Sequence, residues 1–177
     1  SGKVTYDFAR PFGNKNDVAR AVALEPDGRI VIVGTAQGSS VIANASGAAL
    51  LILNPDGSFG DKFSDIGPGI LNQATAVQVL PNGDLLVAGN TDSNAFIAKI
   101  DTQTFAVNAQ TFSAYPGVSI ATSIALRPDG RFTVAGYNVP DSTAVKTLCF
   151  LRQFNPDLSL DTTFGPDNNG RLIFYNS

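Results

Sequence analysis

The chain has 177 residues, enough for one domain with its own hydrophobic core, and is 44% hydrophobic but only 15% charged, which excludes intrinsic disorder. A net charge of −3 and a pI near 4.7 provide no basic stripe, which argues against nucleic acid or an anionic membrane surface as partner; no apolar run approaches the ~18 residues of a spanning helix. With no His, no Met, no Trp and one Cys, the chain lacks the usual neutral-pH proton shuttle, a thiolate zinc site and an internal disulfide. The lone Cys leaves the compartment open. Residues 1–20 carry no signal-peptide pattern, and the Ser1-Gly2 start is compatible with a cleaved one.

In chain order, the first predicted element is a strand opened by glycine, GKVTYDF (2–8). ARAVALEP (19–26) then alternates apolar and polar residues, turns through Pro26-Asp27-Gly28, and continues as an apolar run ending at Gly34. GTAQGSS (34–40) is Gly-rich but has no Lys and opens no helix, so it predicts no phosphate cradle. A second phrase follows, ALLILNPDGSFGDKF (49–63). The hairpin phrase returns as ATAVQVLP (74–81) with Pro81-Asn82-Gly83 and Gly89, and again as ATSIALRP (121–128) with Pro128-Asp129-Gly130 and Gly136. Its prolines are spaced by 55 and 47 residues. The second phrase returns as CFLRQFNPDLSLDTTF (149–164), and in altered form as FIAKIDTQTFAVNAQTF (96–112), which has Asp101-Thr102 in place of Asn-Pro. GRLIFYN (170–176) repeats the opening strand.

These runs of five to eight residues, rich in Val, Ile, Leu, Thr and Phe and bounded by Pro, Asp, Asn and Gly, predict short antiparallel strands. Pro fixes φ at the first turn position, Asp or Asn bonds the neighbouring backbone, and Gly takes a positive φ. No segment holds a 3.6-residue period for three turns, so almost no helix is expected. Units of about four strands at periods near 50 residues predict an all-β propeller with three blades per chain. Blade one spans 19–72, blade two 73–114 and blade three 115–176, with inner strands at 19–25, 74–80 and 119–127 and an extra N-terminal strand at 2–8.

The phrase Leu-x-Pro-Asp-Gly-Arg-Ile-x-Val-x-Gly, then Leu-Asn-Pro-Asp-Gly-Ser-Phe, and the Asp-Thr-Thr-Phe-Gly of 161–165 resemble the bacterial delta-sixty repeat. The resemblance is strongest at 19–34, 48–63, 119–136 and 147–174. It implies a β-propeller of a domain type long of unknown function, and a bacterial, exported or surface setting. It implies no reaction.

The candidates for chemistry have local explanations. Asp27, Asp56, Asp129 and Asp157 each occupy a turn slot in which Asp is wanted for backbone bonding, and blade two has Asn82 there. NTDSNAFIAKID (90–101) faintly matches a calcium loop but lacks its glycine and reads as a hairpin, while FGPDNNG (164–170), with Asp167, Asn168 and Asn169, reads as a solvated loop. Lys3, Lys15, Lys62, Lys99 and Lys146 fall in no Ser–Lys motif, and Asn44-Ala45-Ser46 is only formally a glycosylation acceptor. Cys149, opening an apolar strand, is expected to be a buried, inert thiol. Tyr6, Tyr115, Tyr137 and Tyr175 read as packing residues before sugar platforms, and Glu25 is the only Glu.

The sequence therefore predicts a non-catalytic scaffold or protein-interaction module with no catalytic, cofactor-binding or metal-binding residues. A divalent-metal, lactonase-like enzyme and a glycan-binding propeller are the alternatives. Three blades do not readily close a ring, since propellers carry four to eight. Self-association through edge strands as a homodimer of six blades is expected, a piece of a longer propeller being the other reading.

Overall fold

The computed structural model describes residues 2–6, 16–37, 46–64, 66–67, 72–113, 117–139 and 147–175. Among them it has twelve strands and no helix, arranged as three four-stranded antiparallel sheets, each a meander. Blade one contains β1 (Val18–Leu24), β2 (Ile30–Gln37), β3 (Ser46–Leu53) and β4 (Phe59–Ser64). Blade two contains β5 (Asn72–Val79), β6 (Leu85–Thr91), β7 (Ala95–Ile100) and β8 (Val107–Phe112). Blade three contains β9 (Val118–Leu126), β10 (Phe132–Val139), β11 (Leu148–Phe154) and β12 (Arg171–Tyr175).

The predicted turn chemistry builds the first hairpin of each blade. The Gly28, Gly83 and Gly130 amides donate to the carbonyls of Glu25, Leu80 and Arg127, and each glycine has φ between 81° and 88°. This is a type I turn closed by a left-handed residue, the bulge that fits the twist of the flanking strands. The second glycine of each phrase serves a different end. Gly34, Gly89 and Gly136 stand where the inner strand bulges, and a Cβ there would overlap the carbonyl oxygen of Val18, Gln73 or Ile120.

The blades stack in sequence. One core lies between blades one and two, with Val31, Val33 and Leu50 meeting Leu85, Val87 and Phe96. A second lies between blades two and three, with Leu86, Ala88 and Ile97 meeting Phe132, Val134 and Phe150. Each blade thus has a leading face toward the next blade and a trailing face toward the previous one, set by strand alternation. Polar bonds pin the joints: Asn72 Oδ1 accepts from the Ala48 amide, Thr75 Oγ1 donates to the Ala121 carbonyl (2.7 Å), and Gln110 Nε2 donates to the Leu158 carbonyl. Among the described residues the strands of blades one and three share no core, which leaves the stack open at both ends.

Two expectations are corrected. Residues 2–6 lie across blade one without forming a strand, and residues 7–8 of the predicted 2–8 strand lie outside the described residues. Cys149 is exposed, not buried. Strand register explains why: Cys149 holds the place of Ala48 and Ala95, both fully buried, but its face is the leading face of blade three, which no blade covers.

Candidate functional site

The repeated carboxylates are engaged within their turns. Asp27, Asp129 and Asp157 accept the amides of Arg29, Arg131 and Ser159 at 2.9–3.1 Å, Asp56 accepts that of Ser58, and Asn82 does the same for Asp84. The local bonds hold these four Asp carboxyls below the usual range: the Arg29 amide at Asp27, the Ser58 and Ser159 hydroxyls at Asp56 and Asp157, and the Arg131 side chain at Asp129. They sit in separate turns, one per hairpin.

The two loops with a faint cation pattern fold as local turns. Residues 91–94 form a tight turn in which Thr91 Oγ1 accepts the amides of Ser93 and Asn94, and β7 then carries the chain to Asp101. Six extended residues span ~20 Å, so Asp92 and Asp101 cannot share an ion. In 164–170 the Gly170 amide returns to the Phe164 carbonyl, and Asn169 accepts from Arg171. No group of three or more acidic or thiol side chains converges among the described residues. Lys15, Asn44, Ala45, Tyr115 and Lys146 lie outside the described residues, as do residues 38–40 and the side chains of Lys62 and Tyr175. Lys99 lies 3.5 Å from Asp84, and Tyr6 packs its ring 5.3 Å from Phe59.

The structure buries two carboxyls to which the sequence assigned no role, Asp161 and Glu25. Asp161 opens the Asp-Thr-Thr-Phe-Gly phrase, and that phrase was the available signal. Its carboxylate accepts from Thr163 Oγ1 (2.6 Å), Gln153 Nε2 (2.7 Å), the Thr163 amide and Arg131 Nη1 (3.0 Å), which holds it far below the carboxylate range. It ties the end of blade three to the first hairpin of the same blade. Glu25 is the opposite case. Its side chain is almost fully buried; Arg29 Nη2 pairs with Oε2 at 2.6 Å, while Oε1 accepts no hydrogen bond. Burial raises its pKa, with Arg29 opposing.

Apolar side chains are exposed at both ends of the stack. On blade one, Val22 is 65% exposed, whereas its repeat counterparts Val77 and Ile124 are each 6% exposed. On the leading face of blade three, Tyr137, Cys149 and Phe174 form one row across neighbouring strands, and all three are exposed. A cavity of about 290 Å³ remains on the trailing face of blade one, between residues 4–6 and Ile32, Gly34, Ala49, Leu51 and Leu53.

Three four-stranded meanders stacked face to face define an all-β protein of the propeller class. Residues 25–59, the first hairpin turn through the start of β4, match the family model described as a domain of unknown function (DUF5122) beta-propeller, in agreement with the delta-sixty resemblance. No curated protein matches the chain.

Proposed function

We propose that the chain is a non-catalytic propeller module that works by binding other blades or proteins through the ends of its stack. The observation that supports this is the exposure of Val22 at a position that the following blades bury. Burying such a side chain contributes ~1.5–3 kcal/mol, so each open end is a surface with a driving force for docking. Self-association of two copies into six blades is one assembly that uses both ends. An exported or surface setting fits a module that presents loops on a rigid stack.

The test compares the wild type with Val22→Asp and with Asp92→Ser, a change in an exposed turn remote from both ends. Wild type and Asp92→Ser should retain the same associated protein, or the same self-association, and Val22→Asp should lose it. Equal retention by Val22→Asp would refute the reading. So would turnover of lactone or ester substrates by the purified chain with added divalent metal.

A further inference from the structure

We infer that the trailing face of blade one is a socket for the leading face of blade three of a second copy, and that Tyr6 holds part of that socket in the isolated chain. The proposal rests on the interaction reading above and names its partner.

The joint between blades two and three is the template. There the leading row of blade two is Asn90, Ala95 and Phe112, and Phe112 sits 6.0 Å from Phe150 and 5.2 Å from Phe154 of blade three. The corresponding row of blade three is Tyr137, Cys149 and Phe174, larger at the first two places. On the receiving side the difference is reversed. Where blade three has Phe150, Arg152 and Phe154, blade one has Ala49, Leu51 and Leu53. Phe96 and Phe150 place their rings over Gly89 and Gly136, but Ala49 leaves Gly34 uncovered, which accounts for the cavity. The unpaired donor face is therefore bulkier than its internal counterpart, and the unpaired acceptor face is emptier. Close packing favours that pairing over a generic blade.

A polar contact repeats the match. Thr75 Oγ1 lies 3.1 Å from Ala88 O within its own blade and turns its hydrogen across the joint to Ala121 O at 2.7 Å, whereas its counterpart Thr122 is exposed and donates to Ala135 O. Ala19 of a second copy stands at the position of Ala121. Among the described residues the strands of blades one and three share no core, which assigns the contact to a second copy.

The socket is partly taken. In the template, Gln110 reaches the Leu158 turn and Phe112 reaches the β11 side chains. On blade one a side chain at Gly57, the counterpart of Leu158, would meet Val4, and Tyr6 packs on Phe59 beside Leu51 and Leu53. Residues 4 and 6 thus occupy the seats of 110 and 112, the seat that Phe174 of another copy would need.

Sedimentation velocity on the full chain, from sub-micromolar to high micromolar, tests this with thermal melts as a folding check. Tyr6→Asn should tighten self-association by about tenfold, and Phe174→Arg should abolish it in the same background. Ala49→Phe should leave the chain folded and monomeric. Combining it with Tyr137→Asn and Cys149→Ala, which rebuilds the template sizes, should restore association. A folded Tyr6→Asn chain that stays monomeric throughout, or an Ala49→Phe chain that associates as strongly as wild type, overturns the proposal. A monomeric chain whose Val22-dependent binding of another protein persists would remove the second copy as occupant and leave the interaction reading standing.

Discussion

At the scale of single residues, two glycines show two different constraints. Gly136 has ordinary φ but no space: a Cβ would meet the Ile120 carbonyl and lie 2.6 Å from Phe150 Cζ. Gly83 has free space but φ of 87°. Gly136→Ala should therefore cost roughly 3 kcal/mol or more through overpacking, whereas Gly83→Asn should cost less than about 1 kcal/mol, because Asn tolerates the left-handed region. Urea unfolding midpoints check both, and equal losses would contradict the distinction. Glu25 offers a gain. Its repeat counterpart Leu80 packs against the core between blades two and three, whereas the buried Glu25 carboxylate is paired with Arg29 through one oxygen. Glu25→Leu should stabilise the chain by about 1–3 kcal/mol, as replacing a buried, ion-paired charge by an apolar side chain often does, since Arg29 keeps its bond to Asp27. A fall in the melting temperature would count against that account.

At the scale of elements, the outer turn occurs in three versions. Blade one uses Pro55-Asp56-Gly57 with Gly57 at φ 82°. Blade three places Leu158 at the same position with φ 73°, yet its side chain is buried in the core between blades two and three. Leu158→Gly would relieve ~1–2 kcal/mol of backbone strain but lose ~2–5 kcal/mol of buried side chain and cavity. The second effect is larger, so the variant should unfold at lower urea, and a more stable variant would reverse the ranking. Blade two, with Asp101-Thr102, replaces the turn by a longer loop closed by Phe105 at φ 57°. Where Pro55 and Pro156 pack on the hairpin glycines Gly28 and Gly130, Thr102 instead donates to the Gly83 carbonyl at 3.2 Å. The same junction is made twice by a ring contact and once by a hydrogen bond.

At the scale of the whole molecule, the carboxyls set the response to pH. Asp27, Asp56, Asp101, Asp129, Asp157 and Asp161 all have pKa values lowered by bonds made only in the fold. Their contributions are complete above the ordinary Asp range and are lost as pH falls through the depressed values. Glu25 has the opposite sign: its pKa is raised, so its contribution is complete below the ordinary Glu value and is lost as pH rises through the raised one. The six lowered groups outnumber it, so melting temperature should drop on acidification below about pH 4. Glu25→Gln should remove the smaller loss on the neutral side, visible as a higher plateau in a thermal pH series. A chain most stable near pH 3 would contradict this balance.

The strands, their hairpin turns and the blade repeat were legible in the sequence because alternation and turn chemistry act within ten residues of one another. The turn role of the aspartates was legible for the same reason: the amide each one binds lies two residues away. The fate of a face was not. Cys149 carries the pattern of a buried strand residue, and Ala48 and Ala95 at its position are buried, but burial depends on whether another blade lies beyond it. The placement of residues 2–6 over blade one, the burial of the Glu25 carboxylate and the bond of Asp161 across 30 residues to Arg131 likewise depend on contacts distant in sequence. Local periodicity determined what the blades are; only their stacking decided which faces remain open.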